Sequence, residues 1–378
     1  MMNTLQLCQH LIQFPSVTPQ DKGIMDFLVS ILEPMGFKCH LLPFTDDNNQ
    51  VIQNLYARKG TASPNLCFAG HVDVVPTGPE TSWTHPPFQG NIHSQYLWGR
   101  GTVDMKGSIA AFISATASTT ITNGSISLMI TGDEEGPGTH GTKKIIEWLE
   151  KNNETIDFCI VGEPTSEAKL GDIIKIGRRG SLNAALTVNG TQGHVAYPHK
   201  ADNPIPKMLK LLTALDTTIL DKGYPNFQPS NLEITSIDVG NQASNVIPQT
   251  VTARFNCRFN PTYTTQSLED HLRTTLDTIN IDCTLTIIGS SEPFLTKTHA
   301  ATNHLTQAIR EITGIIPELS TSGGTSDARY IHKIAPVVEC GLKNDLAHKV
   351  DERVSIHDLT ALTKIYQRFI QLYFNATS

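Results

Sequence analysis

Several short stretches place cation-binding side chains where the chain is expected to change direction. "GHVDVVP" carries His71 and Asp73, "GRGTVDMKG" carries Asp104, and "TGDEEGPG" carries Glu134 and Glu135, while "VGEP" supplies Glu163 and "NDLAHKVDE" supplies His348. One imidazole with several carboxylates could serve a single ion. A second imidazole and a surplus of carboxylates fit two ions better, because ions about 3.5–4 Å apart need a shared carboxylate and jointly acidify a bridging water. Mixed imidazole and carboxylate ligation suits zinc, with cobalt or manganese as substitutes. Asp73 follows His71 by two residues, so in extended chain both side chains project the same way. Its carboxylate is then expected to accept the second ring N–H of the histidine and fix its tautomer. Taken singly, an acid at a strand end is more often a solvated turn residue or a helix cap, and His140 in "GPGTHGT" reads as a solvated loop residue. The coincidence of so many donors at strand ends is what points to a metal site.

These donors must be positioned by the elements they terminate. "NLYARKG", "NLCFAGHVDVVP", "ISLMITGDEE" and "DFCIVGEP" read as strands, and they alternate with helices around 2–14 and 24–35 and with "MKGSIAAFISATAS" and "GTKKIIEWLEKN". Such alternation predicts an α/β domain with a mainly parallel sheet, which binds ligands outside the carboxyl ends of its strands. From about Gly180 the pattern changes. "SLNAALTVNG", "PIPKMLKLLTALDTTIL", "LEITSIDVG", "TVTARFNCRFN", "TQSLEDHLRTTLDTI" and "CTLTIIGSS" give the order β-α-β-β-α-β of a ferredoxin-like α+β unit. A helix in "THAATNHLTQAIREITG", the glycine-rich "STSGGTSDARY", a buried strand in "APVVECGL" and a final helix from about Val354 to Asn375 then resume the first pattern. The expected organisation is a catalytic domain over 1–179 and 293–378, interrupted by a small domain over 180–292.

Bulk properties narrow the function. The chain has 378 residues, 39% hydrophobic and 17% charged, the balance of a folded globular protein. A net charge of -7 argues against nucleic acid or an anionic membrane as partner, so any anionic substrate needs local arginines or lysines. The N-terminal stretch lacks the pattern of a signal peptide, and no apolar run approaches the about 20 residues that span a bilayer. Seven cysteines, with no Cys-x-x-Cys pair, fit a reducing cytoplasm, and Cys67, Cys159 and Cys340 lie in apolar runs as expected of core thiols.

In their order along the chain, "GHVDVVP", "GRGTVDMKG", "TGDEEGPG" and "VGEPT" resemble the co-catalytic zinc amidohydrolases of the aminoacylase and glutamate carboxypeptidase family. Within that family, "GRRGSLNAALTVNGTQGHVAYPHKADNP" and "STSGGTSDARY" are most similar to members that remove a succinyl group from a diamino acid. The resemblance implies two Zn2+ per subunit, with Co2+ as a substitute. His71 and Glu163 would hold one ion, Glu135 and His348 the other, and Asp104 would bridge them, with a cis peptide between Asp104 and Met105. It makes Glu134 the general base and acid, while Asp73 is counted with the catalytic residues for its spacing from His71.

It also makes the inserted domain a dimerisation domain, with His194 reaching the active site of the partner subunit in a homodimer to stabilise the tetrahedral oxyanion. The implied substrate is a small molecule with three carboxylates and one ammonium. Arg178 and Arg258 would grip its carboxylates in bidentate fashion, and Ser181, Asn245, Gly324, Thr325 and Asn344 would supply neutral contacts. Arg179 and Arg254 read equally well as surface charges. Acetylornithine deacetylases, aminoacylases and dipeptidases would share the metal ligands and differ in the pocket. A non-catalytic metal-binding protein on the same fold would leave Glu134 without a task.

Overall fold

The computed structural model describes residues 2–121, 123–297 and 299–375. The chain divides into two compact units. One comprises Met1–Ile176, Thr296–Ser320 and Ser326–Ser378, and the other Gly177–Leu295 with Thr321–Thr325. The smaller unit therefore begins and ends three residues outside the limits suggested by the sequence pattern, and it takes in a short stretch of the glycine-rich segment.

The larger unit is built on an eight-stranded sheet in the order Lys38–Leu41, Leu55–Lys59, Ser125–Thr131, Asn65–His71, Phe158–Val161, Val337–Glu339, Ile173–Lys175, Glu318–Ser320. Its centre is parallel: Asn65–His71 lies between Ser125–Thr131 and Phe158–Val161, and Val337–Glu339 continues in the same sense. The flanks are mixed, because Lys38–Leu41 and Leu55–Lys59 join antiparallel on one side and Ile173–Lys175 pairs antiparallel with Val337–Glu339 on the other. Both central strands Asn65–His71 and Ser125–Thr131 are buried along their whole length, as expected of strands covered on both faces.

One cover is the helix Lys106–Ala117, whose many small residues let it pack against both Thr4–Ile12 and the final helix Ile356–Asn375. Phe68 of the sheet stacks on Phe112 of this helix at 4.5 Å between ring centroids, and Tyr366 of the final helix meets both rings edge-on. The final helix begins at Ile356 rather than Val354 because Arg353–Ser355 is spent as a strand against Tyr96–Trp98.

The smaller unit follows β-α-β-β-α-β. Its antiparallel sheet has the order Asn231–Asp238, Thr250–Phe259, Gly180–Asn189, Thr284–Ser291, with helices Pro204–Asp216 and Thr265–Asp277. Period-two alternation sends Leu182, Ala184, Leu186 and Val188 of one strand, and Val251, Ala253, Phe255, Cys257 and Phe259 of the next, into a core shared with Met208, Leu211, Leu215, Leu268, Leu272 and Leu276 of the helices. Each such Leu, Val or Phe contributes about 1.5–3 kcal/mol by leaving water. Thr264 starts the second helix with a capping box, its side chain accepting from the Ser267 N–H while Ser267 accepts from the Thr264 N–H.

Candidate metal centre

Three parallel strands deliver their ends to one edge of the large sheet. His71 stands opposite Thr131 and Ala69 opposite Val161, so Glu163, two residues beyond Val161, reaches the level of His71, while Glu134 and Glu135 follow Thr131 by three and four residues. Asp104 comes from the turn that opens the helix Lys106–Ala117, and the Asp104–Met105 peptide is cis. Buried Met105 brings this turn close to the strand ends. A side chain at Gly70 would meet its Cε at 2.5 Å and one at Gly162 would meet it at 2.7 Å and the Phe68 ring at 2.5 Å, so Met105 packs directly against the glycines before His71 and before Glu163.

The donors converge. His71 Nε2 lies 3.0 Å from Asp104 Oδ1 and 3.8 Å from Glu163 Oε1, and His348 Nε2 lies 2.8 Å from Glu135 Oε1 and 3.2 Å from Asp104 Oδ2. The two oxygens of Asp104 thus face different histidines, the arrangement a shared ligand requires. His71, Asp104 and Glu135 offer donor atoms within 4.8 Å of one another, and so do His71, Glu134 and Glu163. His140 is not in either group; its backbone N–H is held by Asp133 and its ring faces the Thr139 hydroxyl.

Asp73 acts differently from the expectation. The His71 Nδ1 contact is the backbone carbonyl of Asp73 at 2.8 Å, and the Asp73 carboxylate stays 3.7 Å from that nitrogen. Its oxygens accept instead from the Glu134 N–H at 3.2 Å and the Glu135 N–H at 3.0 Å. One buried carboxylate therefore pins the backbone of both neighbouring glutamates, whose side chains can then diverge. Asp133, which no motif singled out, accepts the N–H groups of Gly138 and His140 and closes the loop beyond them.

The electrostatics are those of crowded acids. Burial raises Glu134 to about 8; His71 opposes this, and Asp327, Glu135 and Asp104 add to it. Burial, with Asp104 and Glu134 nearby, lifts Glu163 well above the ordinary range. Burial would also raise Asp104, but hydrogen bonds from His348 and His71 outweigh it and hold that carboxyl well below its usual value. Contacts with Asp104 and Glu135 lift His348 to about 10. Asp327 is a further acid in this neighbourhood that sequence reasoning passed over, although it stands in "STSGGTSDARY". Its oxygens have no hydrogen-bond partner among the described residues, and burial, eased by Thr142 and Arg329, raises it to about 6. So many buried carboxylates with two imidazoles leave negative charge that divalent cations would neutralise, so the donor set fits a pair of such ions.

The remaining expected site residues divide between the units. Asn344 is an exposed residue of the larger unit, its N–H bonded to the Ser166 carbonyl, four residues before His348. In the smaller unit, buried Arg178 donates to the Ser322 carbonyl at 3.0 Å, and a side chain at Gly323 would meet its Nη1 at 2.7 Å, so the stretch 321–325 that holds Gly324 and Thr325 lies against this arginine. Ser181 stands opposite Arg258 in the sheet and accepts from Asn256. Arg179 is half-buried near Arg258 and donates to Asn231, while Arg254 is exposed. His194 and Asn245 are both exposed and adjoin: Gly193–His194 pairs with Val246–Ile247, and the Val195 N–H donates to the Asn245 carbonyl.

Comparison with known proteins agrees with this geometry. The succinyl-diaminopimelate desuccinylase of Rhodospirillum centenum is 52% identical over 374 residues, 98% of this chain and 97% of its own length. That of Ehrlichia canis is 49% identical over 377 residues, 99% of both chains. Among solved structures, the M20 family metallo-carboxypeptidase Sso-CP2 from Sulfolobus solfataricus superposes with a TM-score of 0.80 at 19% identity, over 99% of this chain and 100% of that one. A tripeptidase from Staphylococcus aureus gives 0.79 at 19% identity, over 99% and 98%. Residues 67–372 match the family described as Peptidase family M20/M25/M40, and with the strand-end donors all inside that span the chain belongs to this family.

Proposed function

We propose that the chain hydrolyses the amide of N-succinyl-L,L-2,6-diaminopimelate, releasing succinate and L,L-2,6-diaminopimelate on the route to lysine. The observation that carries hydrolysis is the Asp73 clamp. By holding two consecutive N–H groups it supports Glu135 beside His348 while Glu134 groups with His71 and Glu163. The substrate follows from the likeness to desuccinylases over nearly the whole chain.

Two Zn2+ ions, replaceable by Co2+, would be held by His71, Glu163 and Asp104 and by Asp104, Glu135 and His348. Bound there, they would polarise the scissile carbonyl and acidify the attacking water. Glu134, grouped with His71 and Glu163, takes the proton of that water and returns it to the leaving amine nitrogen. Arg178 and Arg258 bind carboxylates of the substrate, with Ser181, Asn245, Gly324, Thr325 and Asn344 as neutral contacts. The smaller unit is the dimerisation domain of a homodimer, and His194 serves the oxyanion in the partner's site, for which its exposure leaves it available. All seven cysteines are unpaired, in keeping with a reducing cytoplasm, and no helix among the described residues is long and apolar enough to cross a membrane.

The test is the ratio of kcat/KM for N-succinyl-L,L-diaminopimelate to that for N-acetyl-L-ornithine, measured on the Zn2+-loaded chain. The succinyl substrate is expected to lead by about a hundredfold or more, the loss that follows when arginines built for a carboxylate face a neutral acyl group. Equal or faster acetyl cleavage would assign the chain to a sister amidohydrolase.

A further inference from the structure

Two buried charges of the larger unit have no part in the chemistry above. Arg100 is 2% exposed and Glu352 fully buried, and Arg100 Nη1 donates to Glu352 Oε2 at 2.8 Å. Each stands four residues from an expected ligand, Arg100 before Asp104 and Glu352 after His348, and their remaining hydrogen bonds are crossed. Glu352 accepts from the N–H groups of Gly101 at 3.0 Å, Val103 at 2.9 Å and Asp104 at 3.2 Å. Arg100 donates to the carbonyls of Lys349 at 3.1 Å, His348 at 3.4 Å and Pro76 at 3.3 Å. The acid from the His348 segment therefore holds the backbone of Asp104, and the base from the Asp104 segment holds the backbone of His348.

His348 needs such support. Its φ is 61°, a conformation costly to a non-glycine residue, and its side chain is half-exposed, so little packing fixes the ring. Asp104 belongs to a turn rather than to a strand or helix. The indole of Trp83 lies 5.2 Å from the guanidinium and closes its outer side. Beyond these two loops the pair makes three further backbone bonds: Arg100 to the Pro76 carbonyl through its side chain, Arg100 to the Pro87 carbonyl through its N–H, and the Gly99 N–H to the Glu352 carbonyl.

We propose that Arg100 and Glu352 are positioning residues that set the separation of Asp104 from His348 and so govern occupancy of the ion site that His348 serves. This rests on the two-ion reading of the centre. An ordinary buried ion pair would stabilise the unit as a whole. The crossed clasp instead predicts damage weighted to one site, because Asp104 serves both ions but His348 only one, and the strands that end in His71 and lead to Glu163 are touched by neither residue.

The experiment titrates metal-stripped chain with Co2+ at neutral pH, following calorimetric heats and the visible absorption band of the ion. Wild type is expected to take up two equivalents, and His348→Ala identifies the equivalent that depends on that ligand. Arg100→Lys keeps the charge and loses the fork, and Glu352→Gln keeps the shape and loses one acceptor oxygen. In both, the His348-dependent equivalent should weaken by about thirtyfold, as when a group that orients a ligand is removed, while the other, which keeps His71 and Glu163, should weaken at least about fivefold less. Equal weakening of both equivalents, or retention of both, overturns the positioning role. Failure of both variants to fold without metal also overturns it, by assigning the pair to the fold; if one alone folds, it decides. If wild type binds a single equivalent, the two-ion reading fails and takes this inference with it, whereas two equivalents of wild-type affinity in both clasp variants sink the inference alone.

Discussion

The two units hold their functional residues in opposite ways. In the larger one, Asp73, Asp104, Glu135 and Glu163 are largely buried and tied to His71, to His348 or to backbone N–H groups, so the centre is assembled before any substrate arrives. In the smaller one, the core of alternating strands and two helices is complete without His194 and Asn245, which lie exposed on a short two-stranded pairing outside it. Preorganisation is concentrated where charge must be aimed, and exposure falls on the residue proposed to act outside its own unit.

The sharpest break in that contrast is Glu134→Gln. It should lower kcat by about 10³–10⁴, the range of a lost general base, while metal content by atomic absorption stays unchanged. Loss of metal would mean that Glu134 is mainly a ligand. Next comes His194→Ala, expected to lower kcat by about 10²–10³ with KM little altered. Mixing it with Glu134→Gln under conditions of subunit exchange should restore activity, since one mixed site would own both groups, and an unmixed His194→Ala protein of full activity would end the trans role. Phe255→Ala probes the other side of the comparison. It should cost about 3–5 kcal/mol in chemical denaturation of the smaller unit yet leave Co2+ uptake by metal-stripped protein unchanged; altered uptake would show that the centre depends on that core.

The smallest effect is one of pH. In metal-free protein His348 titrates near 10, above the ordinary imidazole value, so its stabilising contacts are intact below about 6.5 and are lost as pH rises through about 10. The melting temperature of EDTA-treated protein should accordingly fall over that interval. Zn2+ affinity should rise over it, by about tenfold per pH unit for each proton displaced. A metal-free melting temperature that climbs with pH would contradict the hydrogen-bonded imidazolium.

What the sequence disclosed depended on distance along the chain. The alternation in 180–189 and 250–259 and the apolar runs around His71, Glu134 and Glu163 are local patterns, and the elements they predict are present, although the last three strands end at His71, Thr131 and Val161, short of the stretches read as strand. Short flanking strands such as Lys38–Leu41 and Ile173–Lys175 carry too few residues to show a period, and they turned a mainly parallel sheet into one with antiparallel flanks. Asp73 was noticed for the wrong bond, since spacing places it beside His71 but cannot show that the strand ending at Thr131 lends it two N–H groups. Arg100 and Glu352 lie 252 residues apart and left no signal.

The Asp73 clamp also makes loop length a constrained quantity. Glu134 and Glu135 lie in a bend whose N–H groups Asp73 holds, so adding or removing one residue between Thr131 and Glu134 would bring a different pair of N–H groups to that carboxylate. An insertion would present the proposed base where the proposed ligand belongs, and a deletion would present the proposed ligand where the base belongs, with composition and net charge hardly altered. Substitutions in this turn are therefore a graded injury, while a single insertion or deletion is an exchange of roles.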